Sequence, residues 1–235
     1  AYCFSQTAQE IAKASHDLSS GNTSSYTAVL TLTDKAGKVR TREIGYYYLK
    51  EGKTDKTVMV FKSPKDVAGV SYLSFDYPDD ANGLPVDSDS WLYLPAMKKV
   101  RRVSGSSKDD DFQGTDFTYD DLGNRSLGKD TFKTLGEETV DGVACWIVEY
   151  TAKDAKAKVS RRVYWIGKEN YVTYKGEFYN QKGELQKELV CENISKIDGY
   201  WTTGKSTMTN IQTKHSTVYE IKDIVYDKPI NQNFF

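Results

Sequence analysis

The chain has 235 residues, and its 32 Lys and Arg against 33 Asp and Glu leave a formal net charge of −1. That balance argues against a nucleic-acid protein, because phosphate binding needs a net basic field or a strong basic stripe. No apolar run approaches the ~18–20 residues that a membrane-spanning helix requires. Seventeen tyrosines within a 13% aromatic content favour strands, and apolar pockets that carry an occasional polar handle.

The first residues, AYCFSQTAQEI, are expected to be a mature terminus left after removal of a signal segment. A helix is expected over Ser5 to Leu18, where Phe4, Ala8, Ile11, Ser15 and Leu18 recur at three- and four-residue steps. Ser5 would be its N-cap and Gly21 would mark the stop. Alternation then takes over. Tyr26, Ala28, Leu30 and Leu32 face one way and Thr27, Val29, Thr31 and Thr33 the other, before a DKAGK turn at Asp34 to Lys38. Strands follow at Arg42 to Leu49, Lys56 to Lys62, Val70 to Tyr77 and Trp91 to Leu94. SPKDVAG between them is expected to form one short helical turn with Pro64 at its first position.

The stretch from Trp91 to Leu122 is the most distinctive. A strand, WLYLP, runs into a basic cluster, KKVRR, then a polar SGSSKDDD linker, then an aromatic segment, FQGTDFTYDDL. The linker is expected to be a mobile loop. Phe117 and Tyr119 are expected in the core, and Phe112 as a flap over a cavity. Lys98, Lys99, Arg101 and Arg102 read either as charged gatekeepers on a solvated edge or as a rim that meets an anionic headgroup or a partner's acidic face. Beyond it the strand rhythm resumes at Val143 to Thr151, Ser160 to Ile166, Tyr171 to Tyr179, Leu185 to Ile194, Tyr200 to Asn210 and Ser216 to Val225. Ten or more strands with no helices between them imply antiparallel connections. The expected fold is α+β and mostly antiparallel: an incomplete β-barrel or strongly curved sheet, with an N-terminal helix and short helices over an apolar concave face. One domain spanning 1–235 is expected.

Little in the sequence points to catalysis. His16 and His215 each stand alone and are expected to be solvated. The acidic groups at Asp79-Asp80, Asp87-Ser88-Asp89 and Asp109-Asp110-Asp111 lack the alternating ligands and glycine of a calcium loop. Cys3, Cys145 and Cys191 fit no metal spacing; Cys145 and Cys191 either pair in an oxidising compartment or remain buried thiols. No catalytic residue, metal or cofactor is expected, and no Gly-x-Ser-x-Gly elbow supports a hydrolase.

WLYLPAMKKVRRV followed by FQGTDFTYDDL, together with TLTDKAGKVRTREI and FKSPKDVAGVSYLSFDY upstream, resembles the outer-membrane lipoprotein-sorting proteins, the LolA-like family of Gram-negative bacteria. The likeness covers most of residues 5–230. It implies a periplasmic, non-enzymatic carrier whose open barrel holds lipid or lipoprotein acyl chains between inner and outer membranes. An inner-membrane transporter and an outer-membrane acceptor would be its partners, and a monomer is expected. The resemblance also implies an arginine that regulates cargo retention, for which Arg40, Arg42, Arg101 and Arg102 are alternatives. Strand parity offers candidate cavity residues: Leu30 and Leu32, Tyr46 and Tyr48, Val58 and Val60, Tyr72, Trp91 and Tyr93, with Phe112 from the flap. The rival expectation is an envelope interaction module with a filled core and no cargo.

Overall fold

The computed structural model describes residues 6–235. Cys3, Phe4 and the expected N-cap Ser5 lie outside the described residues. Helix α1 (Ala8–His16) starts later than expected because Thr7 and Glu10 cap it reciprocally. The Glu10 backbone N–H donates to the Thr7 hydroxyl at 3.2 Å, and the Thr7 N–H donates to the Glu10 carboxylate at 2.8 Å. The helix ends at His16, short of Leu18. Ile11 and Ala12 are fully buried against Val148, Tyr150 and Ile166.

The strands are β1 (Thr23–Thr33), β2 (Val39–Glu51), β3 (Thr54–Ser63), β4 (Ser71–Asp76), β5 (Asp89–Leu94), β6 (Lys99–Arg102), β7 (Asp130–Val140), β8 (Val143–Ala152), β9 (Val159–Gly167), β10 (Thr173–Asn180), β11 (Leu185–Ile197), β12 (Tyr200–Asn210) and β13 (His215–Tyr226). They form one 13-stranded antiparallel sheet in the order β6-β5-β4-β3-β2-β1-β13-β12-β11-β10-β9-β8-β7. Each half is a run of nearest-neighbour hairpins, and the halves join where β1 pairs with β13. The sheet curves without closing, so β6 and β7 are its edges. β7 has no counterpart in the sequence-based expectation. Its residues are mostly exposed, so hydrophobic alternation is missing there. The SPKDVAG segment bends into a hydrogen-bonded turn, with the Val67 and Ala68 N–H groups both donating to the Pro64 carbonyl, and no helix forms.

Register decides which side chains share a face. Tyr46 lies opposite Met59, Met59 opposite Tyr72, and Tyr72 opposite Leu92, giving one inner row. The adjacent row, Tyr47, Val58, Leu73 and Trp91, points the other way. The ten candidate cavity residues therefore do not all reach the inner face: Val58, Val60, Trp91 and Tyr93 project from the outer face. Leu30, Leu32, Tyr46, Tyr48 and Tyr72 are on the inner face. The cause is local. VMVF and WLYL are unbroken runs of apolar and aromatic residues, so nothing in them sets parity, and a one-residue slip inverts every side chain.

Residues 103–129 leave the β6 edge and return across the inner face to β7. SGSSKDDD is not a free loop: it contains a 3-10 turn (Gly105–Asp109), and buried Lys108 donates to the Ser88 carbonyl at 2.9 Å. Phe112 is no flap. It is 0% exposed, stacks on Phe61 at 5.7 Å, and meets Tyr72 and Tyr119 edge-on at 5.8 and 5.3 Å. Phe117 and Tyr119 are buried as expected. Helix α2 (Tyr119–Leu122) follows, capped by Thr118. The segment is a plug that fills one end of the open barrel. Cys145 and Cys191 are both free and buried. Cys145 packs with Val163 and Trp165, whereas Cys191 faces Ser206 at 3.8 Å.

Candidate functional site

Polar groups from both halves of the sheet hold the plug. Arg42 on β2 donates to the Gln113 carbonyl and lies over the Phe61 ring. Lys187 on β11, itself buried, donates to the Asp116 carbonyl at 2.6 Å and to the Asp111 carboxylate at 2.9 Å. Asp116 also bonds to His215 Nδ1 at 2.6 Å. His215 is thus part of a clasp, contrary to the expectation of a solvated ring. His16 is half-buried beside Asp17 at 2.9 Å. Among the described hydrogen bonds, both imidazoles pair with aspartates, His16 with Asp17 and His215 with Asp116.

The opposite end of the barrel is open. A pocket of about 360 Å3 is lined by Tyr26, Tyr46 and Met59 from one half, Leu189, Ile221 and Tyr226 from the other, with Phe117 and Leu122 of the plug segment, and Ser24, Thr202, Ser206 and Asp121 add polar groups. Tyr46, Leu122 and Ser20 are shared with a second chamber of about 490 Å3. That chamber adds Tyr48, Thr57, Asp55 and Asp76, and it merges with a wider charged mouth through His16, Asp17, Lys50 and Asn124. The result is a cleft that is mixed aromatic and polar at its inner end and ionic at its outer end.

The tyrosines are tightly arranged. Tyr26 and Tyr46 stack at 4.3 Å between ring centroids, and the Tyr26 and Tyr219 hydroxyls are 2.9 Å apart. Burial pushes the Tyr46 hydroxyl up to about 12, and burial raises Tyr26 and Tyr219 well above the usual phenol range. These groups stay neutral, so they wall the pocket with aromatic surface and hydrogen-bonding tips. Tyr48 donates to Asp55 at 2.7 Å. Asp55 is paired across the strands with Asp76. Burial raises the Asp76 carboxyl, against the opposing hydrogen bonds of Ser88 and Ser74. An ion network braces the mouth from behind. Arg125 grips Asp130 with two bonds of 2.9 Å and also pairs with Asp120. Burial acts to raise Asp120, but Arg125, Lys129 and Arg162 outweigh it and hold its carboxyl below the usual range.

Of the candidates named from sequence, Tyr46 and Tyr48 line this cleft. Leu30, Leu32, Tyr72 and Phe112 share the inner face but pack into the filled core at the plugged end. Of the four alternative arginines, Arg42 alone is half-buried; Arg40, Arg101 and Arg102 are exposed. Lys98, Lys99, Arg101 and Arg102 lie together around the β6 edge. Sequence reasoning missed Tyr26, Met59, Leu189, Ile221 and Tyr226. Tyr26 carried a usable signal, since it shares parity with Leu30, and so did Leu189, which lies on a recognised strand.

The fold has close counterparts. The structure of a DUF1329 family protein from Desulfovibrio piger matches with a TM-score of 0.88 and 32% identity, over 97% of this chain and 95% of that one. A Vibrio parahaemolyticus domain assigned as an outer membrane lipoprotein-sorting protein matches with a TM-score of 0.86 and 30% identity, over 96% and 94% of the two chains. The chain belongs to the outer-membrane lipoprotein-sorting, LolA-like family. A LolA superfamily protein from Nitrosomonas europaea shares the fold of this LolA-like chain, with a TM-score of 0.73 at 18% identity over 98% of both chains. A family model described only as an uncharacterised protein matches residues 53–235. No curated protein matches the chain. The fold of this LolA-like protein is thus that of lipoprotein-sorting proteins, and the names of its relatives place them at the cell envelope. No described helix is long and apolar enough to cross a membrane.

Proposed function

We propose that this protein is a periplasmic, non-enzymatic carrier that shelters an acyl chain of a lipid or lipoprotein and moves it between the inner and outer membranes. One observation carries the proposal: a pocket with an aromatic and aliphatic wall of Tyr26, Tyr46, Met59 and Ile221, and a polar side that includes Ser24, Thr202 and Asp121, adjoins a chamber that shares residues with a charged mouth. Its volume of about 360 Å3 falls in the ~300–1,000 Å3 range of ligand pockets. Each buried methylene contributes about 0.8 kcal/mol, so a chain of ordinary length supplies enough free energy to outweigh the cost of immobilising it. An acyl tail would enter past Tyr48, with its polar head held at the Lys50 and Asp55 end. An inner-membrane transporter would load it and an outer-membrane acceptor would unload it.

The decisive measurement is displacement of a fluorescent fatty acid, paired with native mass spectrometry of protein purified from its own envelope. Saturable uptake is expected, and it should be lost in Met59→Trp, which fills the pocket floor. Absence of uptake by the unaltered protein sinks the carrier reading. It would favour an envelope interaction module, a reading supported by the dense packing of Phe61, Tyr72, Phe112 and Tyr119 in the plugged end.

A further inference from the structure

The basic cluster at the β6 edge has no part in the cleft. We propose that it is a docking surface for an anionic lipid bilayer, with residues 97–101 seated among the headgroups. The segment 95–102, PAMKKVRR, holds four cations and no acid in a chain whose net charge is −1. It is therefore a local basic patch and not part of a general basic field. Arg102 is tied to Asp89, while among the described residues Lys98, Lys99 and Arg101 have no acidic partner.

Charge alone would be explained by the need to blunt an open sheet edge. The apolar side chains among the cations are not explained that way. Val100 is 65% exposed, Met97 57% and Tyr93 39%, and Tyr93 and Val100 are cross-strand partners on one face. Exposed apolar tips work against the solubility that gatekeeping charges provide. The register sends Lys99 and Arg101 to one side of this edge strand and Val100, with Tyr93, to the other, so edge-on contact presents both to a bilayer: apolar groups at the acyl boundary and cations at the phosphates of an anionic membrane.

The patch is also held in place. Leu92 and Val103 are buried on its two flanks, and the Val103 N–H donates to the Ser90 carbonyl at 2.8 Å. The 3-10 turn Pro95–Met97 sets its outer corner, ending in Lys98 with a left-handed φ of 50°. The Pro95 ring lies beside Gly69, at a distance where an added methyl group would make an ordinary van der Waals contact. The backbone of the surface is thus set by these contacts.

The test is co-sedimentation of the full chain with vesicles of phosphatidylglycerol mixed with phosphatidylethanolamine, against vesicles of phosphatidylcholine alone. Binding is expected to the anionic vesicles only, weakening as salt shortens the Debye length. The triple variant Lys98→Gln, Lys99→Gln, Arg101→Gln should lose affinity by roughly fivefold per cation removed, about a hundredfold in all. Lys98→Arg with Lys99→Arg should retain it. Met97→Ser with Val100→Ser should weaken binding without changing its salt dependence. The triple variant should still take up fatty acid from solution, whereas Met59→Trp should lose uptake yet still dock, so failure of one proposal is separable from failure of the other. No binding to anionic vesicles, or unchanged binding by a folded triple variant, overturns the inference. Capture of an acidic peptide strand by the β6 edge with no vesicle binding would assign the surface to a protein partner instead.

Discussion

Asp116 and Thr217 bond to each other twice: the Thr217 hydroxyl donates to the Asp116 carboxylate at 2.7 Å, and the Asp116 backbone N–H donates to the same hydroxyl at 3.0 Å. Both residues are buried, so this reciprocal pair fixes the plug to the centre of the sheet without help from water. Thr217→Val keeps the shape and removes both bonds. It should cost about 1–3 kcal/mol, the usual penalty for orphaned buried polar groups. Urea unfolding measures the total, and hydrogen exchange at residues 112–117 should show the loss concentrated there. An unchanged midpoint would mean that Lys187 and Arg42 hold the plug without it.

The Asp120–Arg125–Asp130 network makes a larger prediction. Arg125→Leu leaves two buried carboxylates without their main cation, and breaking a buried ion pair from one side costs about 3–5 kcal/mol. Because Asp120 is held below its usual pKa, its stabilising share is complete above the unfolded carboxylate value and is lost as pH falls through the folded one. The gap in melting temperature between the unaltered protein and Arg125→Leu should therefore narrow on acidification.

Asp76 should behave in the opposite sense. Its folded pKa is raised, so its stabilising share is complete below the unfolded value and is lost as pH rises through the folded one. At neutral pH the buried, ionised carboxylate works against folding. Asp76→Asn should melt higher than the unaltered protein near pH 7, with the difference vanishing toward about pH 4. Thermal melts across that range check the sign.

If the pocket takes an acyl chain, affinity should depend on chain length. Each added methylene buried should tighten binding about fourfold, the equivalent of ~0.8 kcal/mol, until the pocket is filled. A plateau in Kd beyond that length, measured by calorimetry over a homologous series of fatty acids, marks the depth of the site. A flat series would argue that only the headgroup is recognised.

The elements most legible in the sequence were those with a single buried face. Ala28, Leu30 and Leu32 alternate cleanly with threonines and valine, and the DKAGK turn closes as expected, with the Gly37 N–H donating to the Asp34 carbonyl. The Val58–Phe61 and Trp91–Leu94 runs were located correctly but not oriented, because both faces of those strands are apolar. β7 was invisible, since it lies at an edge and buries little. The plug was misjudged for another reason: the polarity of SGSSKDDD spoke for solvent, while long-range partners such as Ser88 for Lys108 and Lys187 for Asp111 lie far away in sequence. The cleft depends on both halves of the chain, and parity within one strand says nothing about which residues face each other across the opening.

The pairing of Leu30 with Tyr219 closes a loop of nearly the whole chain. Loop-closure entropy rises only with the logarithm of length, so this junction is thermodynamically cheap. Kinetically it is different. Every other strand pairing joins neighbours in sequence, so each meander can zip from local contacts, while the β1–β13 seam waits for two preformed halves to find each other. Before that encounter, β1 and β13 are exposed edges rich in Val, Ile, Thr and Tyr. The seam is thus where a nascent chain is most open to mispairing with another copy, and a chaperone that holds the unjoined halves would have its greatest effect there.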